Sequence, residues 1–396
     1  MGELVVETVR GGLEILETLG DEWRTLLDHI QNDSPYWRPE WILAALRAYS
    51  PNAKILVITV REQGTLCAIL PLIEEKGRFA GLPARKLRAP LTTAGVGVDI
   101  LCAASEPARD ELTQAIWQEL KKLRWDVMEL PSVIENAEIE KFSALAQRDG
   151  QPTGSWVLPL IAFFAIPVGP TAAKDLEKYP RHPKLRSKVR QRETKLAALG
   201  KVHLRRTETG GAADLQSFYE MEAAGWKGKE KSAIISDPRS KQFFDDVVRA
   251  AENFNQLCLY TLMLDNKPIA AHIGVTYRGR YWAAKSTYDE NYRDYAPGHV
   301  IVKMILRDCS DRGVHEYIMG IREDWKMEWT QDVRKRNYQC IFSRGLWPRL
   351  LYAIRFPLRS RLAALKALRN KKPAQTGKPV SKEESPENKQ TENKQA

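Results

Sequence analysis

The stretch from Asp265 to Trp329 constrains the fold more than any other part of the 396-residue chain. A turn at Asp265-Asn266-Lys267-Pro268 leads into the apolar, strand-like run Ile269-Ala270-Ala271-His272-Ile273-Gly274-Val275. A second turn at Arg278-Gly279 leads into another strand-like run, Tyr281 to Tyr288. Asp294-Tyr295-Ala296-Pro297-Gly298-His299 then opens a segment, Val300 to Cys309, whose apolar residues recur at helical spacing. The run Glu316-Tyr317-Ile318-Met319-Gly320 and the group Trp325-Lys326-Met327-Glu328-Trp329 close it. Two antiparallel strands, a Gly-containing loop, a helix and a further strand make a splayed cleft with a helix N-terminus at its mouth. Unpaired N–H groups and a positive dipole end there suit a pyrophosphate such as that of coenzyme A.

The length accommodates two ordinary domains with full cores. No apolar run reaches the roughly 20 residues that a membrane span needs. The start, Met1 to Arg10, alternates like a strand and lacks the basic-then-apolar order of a signal peptide. The expected location is therefore the cytoplasm. Cys67, Cys102, Cys258, Cys309 and Cys340 are scattered singly, as are the histidines, so reduced thiols and no metal are expected. The net charge of +11 is concentrated in Arg181–Lys201 and Arg344–Lys372. It admits nucleic acid, anionic lipid or an anionic cofactor. No nucleic-acid motif accompanies it, which makes nucleic acid the least favoured partner.

Val5–Val9, Ile55–Val60, Leu66–Leu72, Val127–Leu130 and Trp156–Leu160 read as strands. Leu13–Ile30, Trp41–Ala48, Arg109–Lys122 and Ala137–Gln147 read as helices, with Pro39 in a first turn. Pro167-Val168-Gly169-Pro170 marks a boundary. Beyond it, Lys174–Leu199 is a basic helix broken near Pro180-Arg181-His182-Pro183, Val202–Arg206 a strand, and Leu215–Trp226 a helix. Asp237 caps Lys241–Ala251, and Gln256–Leu264 begins the strand set above. The expected division is 1–168, 169–343, a basic amphipathic helix at 344–372 and a disordered tail at 373–396. The basic helix, interrupted by Pro357, suits either an anionic membrane surface or packing on the second domain.

Glu222-Ala223-Ala224-Gly225-Trp226-Lys227-Gly228, Asp265–Ala271, Tyr288-Asp289, Ala296-Pro297-Gly298-His299, Gly320 and Trp325-Lys326 through Trp329 occur in that order. With Pro35-Tyr36-Trp37-Arg38-Pro39-Glu40-Trp41 and the strand ending Ile69-Leu70-Pro71-Leu72, they resemble the CelD/BcsL family of GNAT-type acetyltransferases of cellulose and exopolysaccharide synthesis, relatives of the Fem-type peptidoglycan aminoacyltransferases. The resemblance spans Leu13 to Phe342. It implies an α/β fold of the α+β kind: tandem GNAT-like subdomains with mixed, mostly antiparallel sheets flanked by helices. It further implies an acetyl-CoA or other acyl-CoA donor and transfer to an amine or hydroxyl of a saccharide or glycoconjugate precursor. One departure stands out. GNAT pyrophosphate loops carry closely spaced glycines, and here Gly298 stands alone behind Pro297.

Acyl transfer from a thioester needs a positioned donor, an acceptor that loses a proton, and a hydrogen-bond donor for the oxyanion. Glu222 and Asp289 are the candidate bases, although each also suits a structural role, as a helix-surface carboxylate or a turn-former. Lys326, between two tryptophans, is a candidate for polarising the acyl carbonyl or binding phosphate, and alternatively a snorkelling surface lysine. Pro297, Gly298, His299 and Val300 form the candidate donor loop. Trp226, Lys227, Tyr288 and Trp329 are candidate substrate contacts, with Tyr288 and Tyr338 candidate acids for the thiolate. His272 reads as structural. The Lys184–Arg192 cluster is either a solvated helix face or an attractor for the CoA 3′-phosphate. Direct transfer in a ternary complex follows from the lack of a Ser/His/Asp or Cys/His set. Two alternatives stay open: aminoacyl-tRNA-dependent transfer of the Fem type, and a non-catalytic scaffold serving a polysaccharide synthase.

Overall fold

The computed structural model describes residues 3–30, 34–90, 99–103, 108–134, 137–158, 163–169, 173–321 and 323–358. Met1–Tyr352 form one compact unit, and Ala353–Ala396 a second, described only through the π-helical stretch Ile354–Leu358. The expected helix over 344–372 is therefore seen as a helix at Leu346–Ala353. Its remainder beyond 358, and the tail, lie outside the described residues.

The strands are β1 (Leu4–Gly11), β2 (Lys54–Glu62), β3 (Thr65–Phe79), β4 (Leu82–Arg88), β5 (Leu101–Cys102), β6 (Val127–Ile134), β7 (Thr153–Val157) and β8 (Phe163–Pro167). There follow β9 (Val202–Thr207), β10 (Leu259–Leu264), β11 (Lys267–Tyr277), β12 (Arg280–Tyr288), β13 (Glu316–Ile321), β14 (Val333–Arg334) and β15 (Arg336–Phe342). The helices are α1 (Glu14–Thr18), α2 (Gly20–His29), α3 (Pro39–Tyr49), α4 (Ala108–Lys122), α5 (Lys141–Arg148) and α6 (Pro183–Ala197). They continue with α7 (Ala212–Ala224), α8 (Trp226–Lys229), α9 (Pro238–Asn253), α10 (Pro297–Asp311) and α11 (Leu346–Ala353).

The strands make two mixed sheets of the same plan. The first runs β1-β2-β3-β4-β6-β15-β7, with β5 beside β3; the second runs β9-β10-β11-β12-β13-β8-β14. In each, one neighbouring pair is parallel, β4 with β6 and β12 with β13, and the other pairs are antiparallel. A parallel pair needs a crossover, and α4 and α10 are the crossovers. The α+β architecture of two tandem, mostly antiparallel units is thus the one observed. Local chemistry explains the hairpins: Gln63-Gly64, Ala80-Gly81 and Arg278-Gly279 have positive φ at both positions, the type I′ turn that matches strand twist.

The expected cut at 168/169 does not separate the sheets. After β7 the chain enters the second sheet with β8, which lies between β13 and β14. After β14 it returns with β15, which lies between β6 and β7. Each sheet therefore takes its sixth strand from the stretch of chain that builds the other. Packing adds to this exchange. Tyr36 and Trp41, before and on α3, share a core with Phe243 on α9 and Trp282 on β12. The Arg278 guanidinium, at the β11–β12 turn, donates to the carbonyls of Leu27 and Ile30 at the end of α2. The Leu27 carbonyl also accepts from the Ile30 N–H at 3.3 Å, and the cation adds to the bonding at this helix end.

Smaller differences are local. Leu13–Ile30 is two helices meeting at Leu19, and Lys174–Leu199 is a 3₁₀ stretch, Ala173–Lys178, followed by α6. Asp237 does cap α9, accepting from the Arg239 N–H. The described cysteines are free thiols, buried except for the partly exposed Cys67.

Candidate active site

β11 and β12 pair from Ala270 with Tyr288 to Tyr277 with Arg280, but the register slips between Ile273 and Gly274 so that Ala284 has no partner. This bulge bends the end of β12. β13 follows β12 in parallel only over Arg280–Trp282 with Glu316–Ile318, and beyond that the two strands part. Gly320 permits the parting: its φ is +77°, and a Cβ would stand 2.9 Å from the Ala283 carbonyl oxygen. The splayed cleft expected from the sequence is present, with the N-terminus of α10 beside Tyr288.

Two cavities occupy the cleft. One, of about 440 Å³, is lined by Glu222, Trp226, Tyr288, Gly298 and His299 among others. The second, of about 510 Å³, is lined by Tyr36, Tyr49, His272, Lys285 and Lys326 among others. Trp226, Lys227, Ser286, Glu323 and Trp325 line both, so the cavities adjoin along those side chains.

Glu222 is 1% exposed on α7. Lys227 Nζ donates to its Oε1 at 2.9 Å and the Ile234 N–H to its Oε2 at 2.7 Å, while Lys285 Nζ lies 3.8 Å from Oε1. Lys227 also donates to the Ser286 carbonyl at 2.9 Å, which ties α8 to β12. The Glu-x-x-x-Trp-Lys-Gly run owes its last residue to packing: a Cβ on Gly228 would fall 1.8 Å from the Ala223 carbonyl oxygen. With both oxygens engaged, Glu222 is placed to hold the lysines.

His272, expected from the sequence to be structural, stands at the cleft. It lies mid-strand on β11, opposite Ser286, is 3% exposed, and lines the second cavity. Its Nδ1 has no hydrogen-bond partner among the described residues. Burial, aided by the charges of Lys326 and Lys227, pushes its pKa down to about 3, so the ring is neutral at pH 7. The only sequence signal was a polar residue in an apolar central strand. Lys285 was not among the expected site residues. Burial lowers its pKa, opposed by Glu222, and burial also lowers that of Lys326, whose ammonium is 3.3 Å from Glu323.

At the start of α10, Ala296 adopts a left-handed conformation and its carbonyl accepts from the N–H groups of His299 and Val300. Pro297 has no N–H, and Gly298 stands in the first turn, where a backbone N–H has no intrahelical acceptor. A Cβ on Gly298 would meet only Tyr288 Cδ1, at 3.6 Å, so the glycine is not demanded by packing within the protein. His299 Nδ1 accepts from the Trp329 indole at 3.0 Å. An indole N–H can only donate, so the neutral imidazole carries its proton on Nε2. Burial lowers the His299 pKa and favours that form.

Three expected contacts fall elsewhere. Val300 is fully buried in the core under α10. Trp329 is fully buried too; its indole donates to His299 and its backbone N–H to the Lys326 carbonyl. Asp289 pairs with Lys267 at 2.9 Å and caps the turn that follows β12, accepting from the Asn291 N–H; it does not line either cavity. Its position at a strand end made turn-forming chemistry and catalysis look alike in sequence. Tyr338 donates to Glu129 in the first sheet. On α6, Arg190 pairs with Glu177 and Arg186 donates to the Lys178 carbonyl, away from both cavities. Among the described residues no His/Cys/Asp/Glu group could hold a metal ion, and no helix is long and apolar enough to cross a membrane.

Residues 183–329 match the family model of the acetyltransferase (GNAT) domain. Among solved structures the chain is similar to the crystal structure of FemX, with TM-score 0.54 and 10% identity over 84% of this chain and 96% of that one. It is also similar to the C-terminal domain (DUF2156) of a putative lysylphosphatidylglycerol synthetase from Agrobacterium fabrum. There the TM-score is 0.50 and the identity 11%, over 89% of this chain and 96% of that one. At such identities the likeness is one of fold. No curated protein matches the chain in sequence. The acetyltransferase domain, seated on a cleft of this fold, supports an acyltransferase.

Proposed function

We propose that the protein transfers an acyl group from an acyl-CoA, held against α10, to an amine or hydroxyl of a saccharide or glycoconjugate precursor in the second cavity. The observation that carries this reading is the pair of adjoining cavities, one at a helix N-terminus and one lined by the neutral imidazole of His272, the buried Lys326 and the half-buried Lys227 and Lys285. Gly298 fits the donor: its first-turn N–H and the helix dipole favour a phosphate, and the missing Cβ lets a ligand approach the backbone. Tyr36, Tyr49, Trp226 and Trp325 around the second cavity offer flat faces for sugar rings. The resemblance to the CelD/BcsL family supports the same acceptor class.

In this mechanism the imidazole of His272, which lines the second cavity, accepts a hydrogen bond from the nucleophile. As the new N–C or O–C bond forms, the proton on the nucleophile becomes more acidic and passes to the imidazole. Lys326 stabilises the oxyanion, the C–S bond breaks, and Tyr288 gives its proton to the departing thiolate. Glu222 positions Lys227 and Lys285. Lys326→Met should lower kcat roughly 10²–10³-fold with donor binding kept, as for loss of an oxyanion-hole donor.

The direct test is thermal denaturation with acetyl-CoA, longer acyl-CoAs and free CoA. A ligand at about 100 times its Kd adds about 2.7 kcal/mol to the folded state. A raised Tm with an acyl-CoA supports the donor. A folded sample that responds to none of them overturns it, and turns attention to an aminoacyl-tRNA donor or a non-catalytic scaffold.

A further inference from the structure

A third cavity, about 1010 Å³ and open to solvent, lies in the first unit. Its walls are the β3–β4 hairpin, the link from α4 to β6 and the link from β15 to α11. Cations dominate it: Lys76, Arg78, Arg85, Lys121, Arg124 and Arg344 line it, against the single carboxylate of Asp126. Asp126 is engaged by Arg85 at 2.7 Å, and Lys121 is engaged by Asp149 at 2.9 Å. Lys76 and Arg124 have no carboxylate partner among the described residues, and both are exposed, as is Arg78. Lys76 also stands directly opposite Arg85 across the hairpin, a like-charge pair that opposes strand pairing.

Beside the cations the surface is apolar. Leu346 is 88% exposed, Trp347 41% and Leu350 44%, on the first turns of α11, and Leu346 and Trp347 line the cavity. The Trp347 indole donates to the Pro83 carbonyl at 3.1 Å, which fixes this apolar tip to the basic hairpin. From Leu350 to Lys372 the sequence continues with leucines, arginines and lysines and without an acidic residue.

We propose that this cavity and tip dock the protein on a bilayer surface rich in anionic phospholipid. Headgroup phosphates sit among Lys76, Arg78 and Arg124, and Leu346, Trp347 and Leu350 enter the boundary between headgroups and acyl chains. Charge complementarity selects an anionic surface, and exposed leucines adjoining the cations select a lipid one, since leucines contribute nothing to a phosphate backbone or a soluble anion. These residues are separate from the acyl-transfer cleft, so the proposal stands or falls independently of it.

The test is co-sedimentation of the full chain with phosphatidylcholine vesicles, with and without phosphatidylglycerol. Binding is expected only with the anionic lipid, and weaker at high salt. K76Q/R78Q/R124Q should bind about 100-fold more weakly, roughly fivefold per cation. L346S/L350S should bind severalfold more weakly, and both variants should keep the wild-type Tm. Wild-type binding by the triple variant, or equal binding to neutral vesicles, overturns the proposal. So does loss of binding in R355Q/R359Q/R361Q with full binding retained by the triple variant. Binding of RNA or inorganic phosphate that depends on the three cations, with no pelleting on vesicles, overturns it as well.

Discussion

A carboxylate with no exposed surface has to be compensated, and Glu222 is met by Lys227, by the Ile234 N–H and at longer range by Lys285. Removing one side of such a pair leaves a charge buried alone. Glu222→Gln should therefore cost about 3 kcal/mol in urea unfolding, and E222Q/K227M should recover part of it. A double-mutant cycle with no coupling would remove Glu222 from the positioning role. His272 gives a pH signature. Its folded pKa, about 3, lies below the ordinary 6.5, so between those values only the unfolded chain takes the proton. Stability is unaffected by this group above pH 6.5 and falls as pH drops below it. From pH 7 to 5 the loss due to His272 is about 2 kcal/mol. His272→Gln should show a correspondingly shallower decline in denaturant midpoint across that interval, together with a lower kcat. An unchanged decline would mean that the imidazole is solvated.

At the scale of elements, the bulge in β12, the parting of β13 and the first turn of α10 create the cleft together. The sequence announced most of this: Arg278-Gly279 is a hairpin turn, Pro297 a first-turn proline, and Val300–Cys309 a helix stripe, each a local signal. It did not announce the bulge at Ala284, because a slip of register depends on the partner strand. Gly298→Ala tests the first turn of α10. The added methyl makes only ordinary contact, and alanine restrains the unfolded chain, so stability should hold or rise by about 0.5 kcal/mol. The donor KM should nonetheless increase with kcat little changed. Equal KM values for the variant and the wild type would put the donor elsewhere.

At the scale of the molecule, the two sheets exchange a strand: β8 pairs with β13 and β14, and β15 with β6 and β7. A fragment of residues 1–168 lacks β15, which leaves the edges of β6 and β7 unpaired, and one of residues 169–343 lacks β8. Produced separately, neither fragment should give the dispersed amide spectrum or cooperative melting of the whole chain, because interior strand edges would be exposed. A cooperatively folded 169–343 fragment would show that β8 is dispensable. The shared core of Tyr36, Trp41, Phe243 and Trp282 works in the same direction.

The sequence by itself determined many of the elements, the Arg278-Gly279 turn, the tandem α+β plan and the neighbourhood of Glu222, Lys227, Gly298 and Lys326, because these follow from short-range periodicity, turn stereochemistry and ordered motifs; it did not mark β4, β8 or β15. Tertiary structure decided which of the named residues face the cleft. Val300 and Trp329 share a helix start and a tryptophan group with residues that do, yet their side chains are in the core. It also decided that His272 Nδ1 is left without a partner, that Tyr36 and Tyr49 reach the cleft from α3 and the segment before it, and that β8 and β15 change sheets. Each of these depends on contacts between residues distant in the chain, and no local pattern encodes the direction of a side chain relative to a neighbour that has yet to arrive.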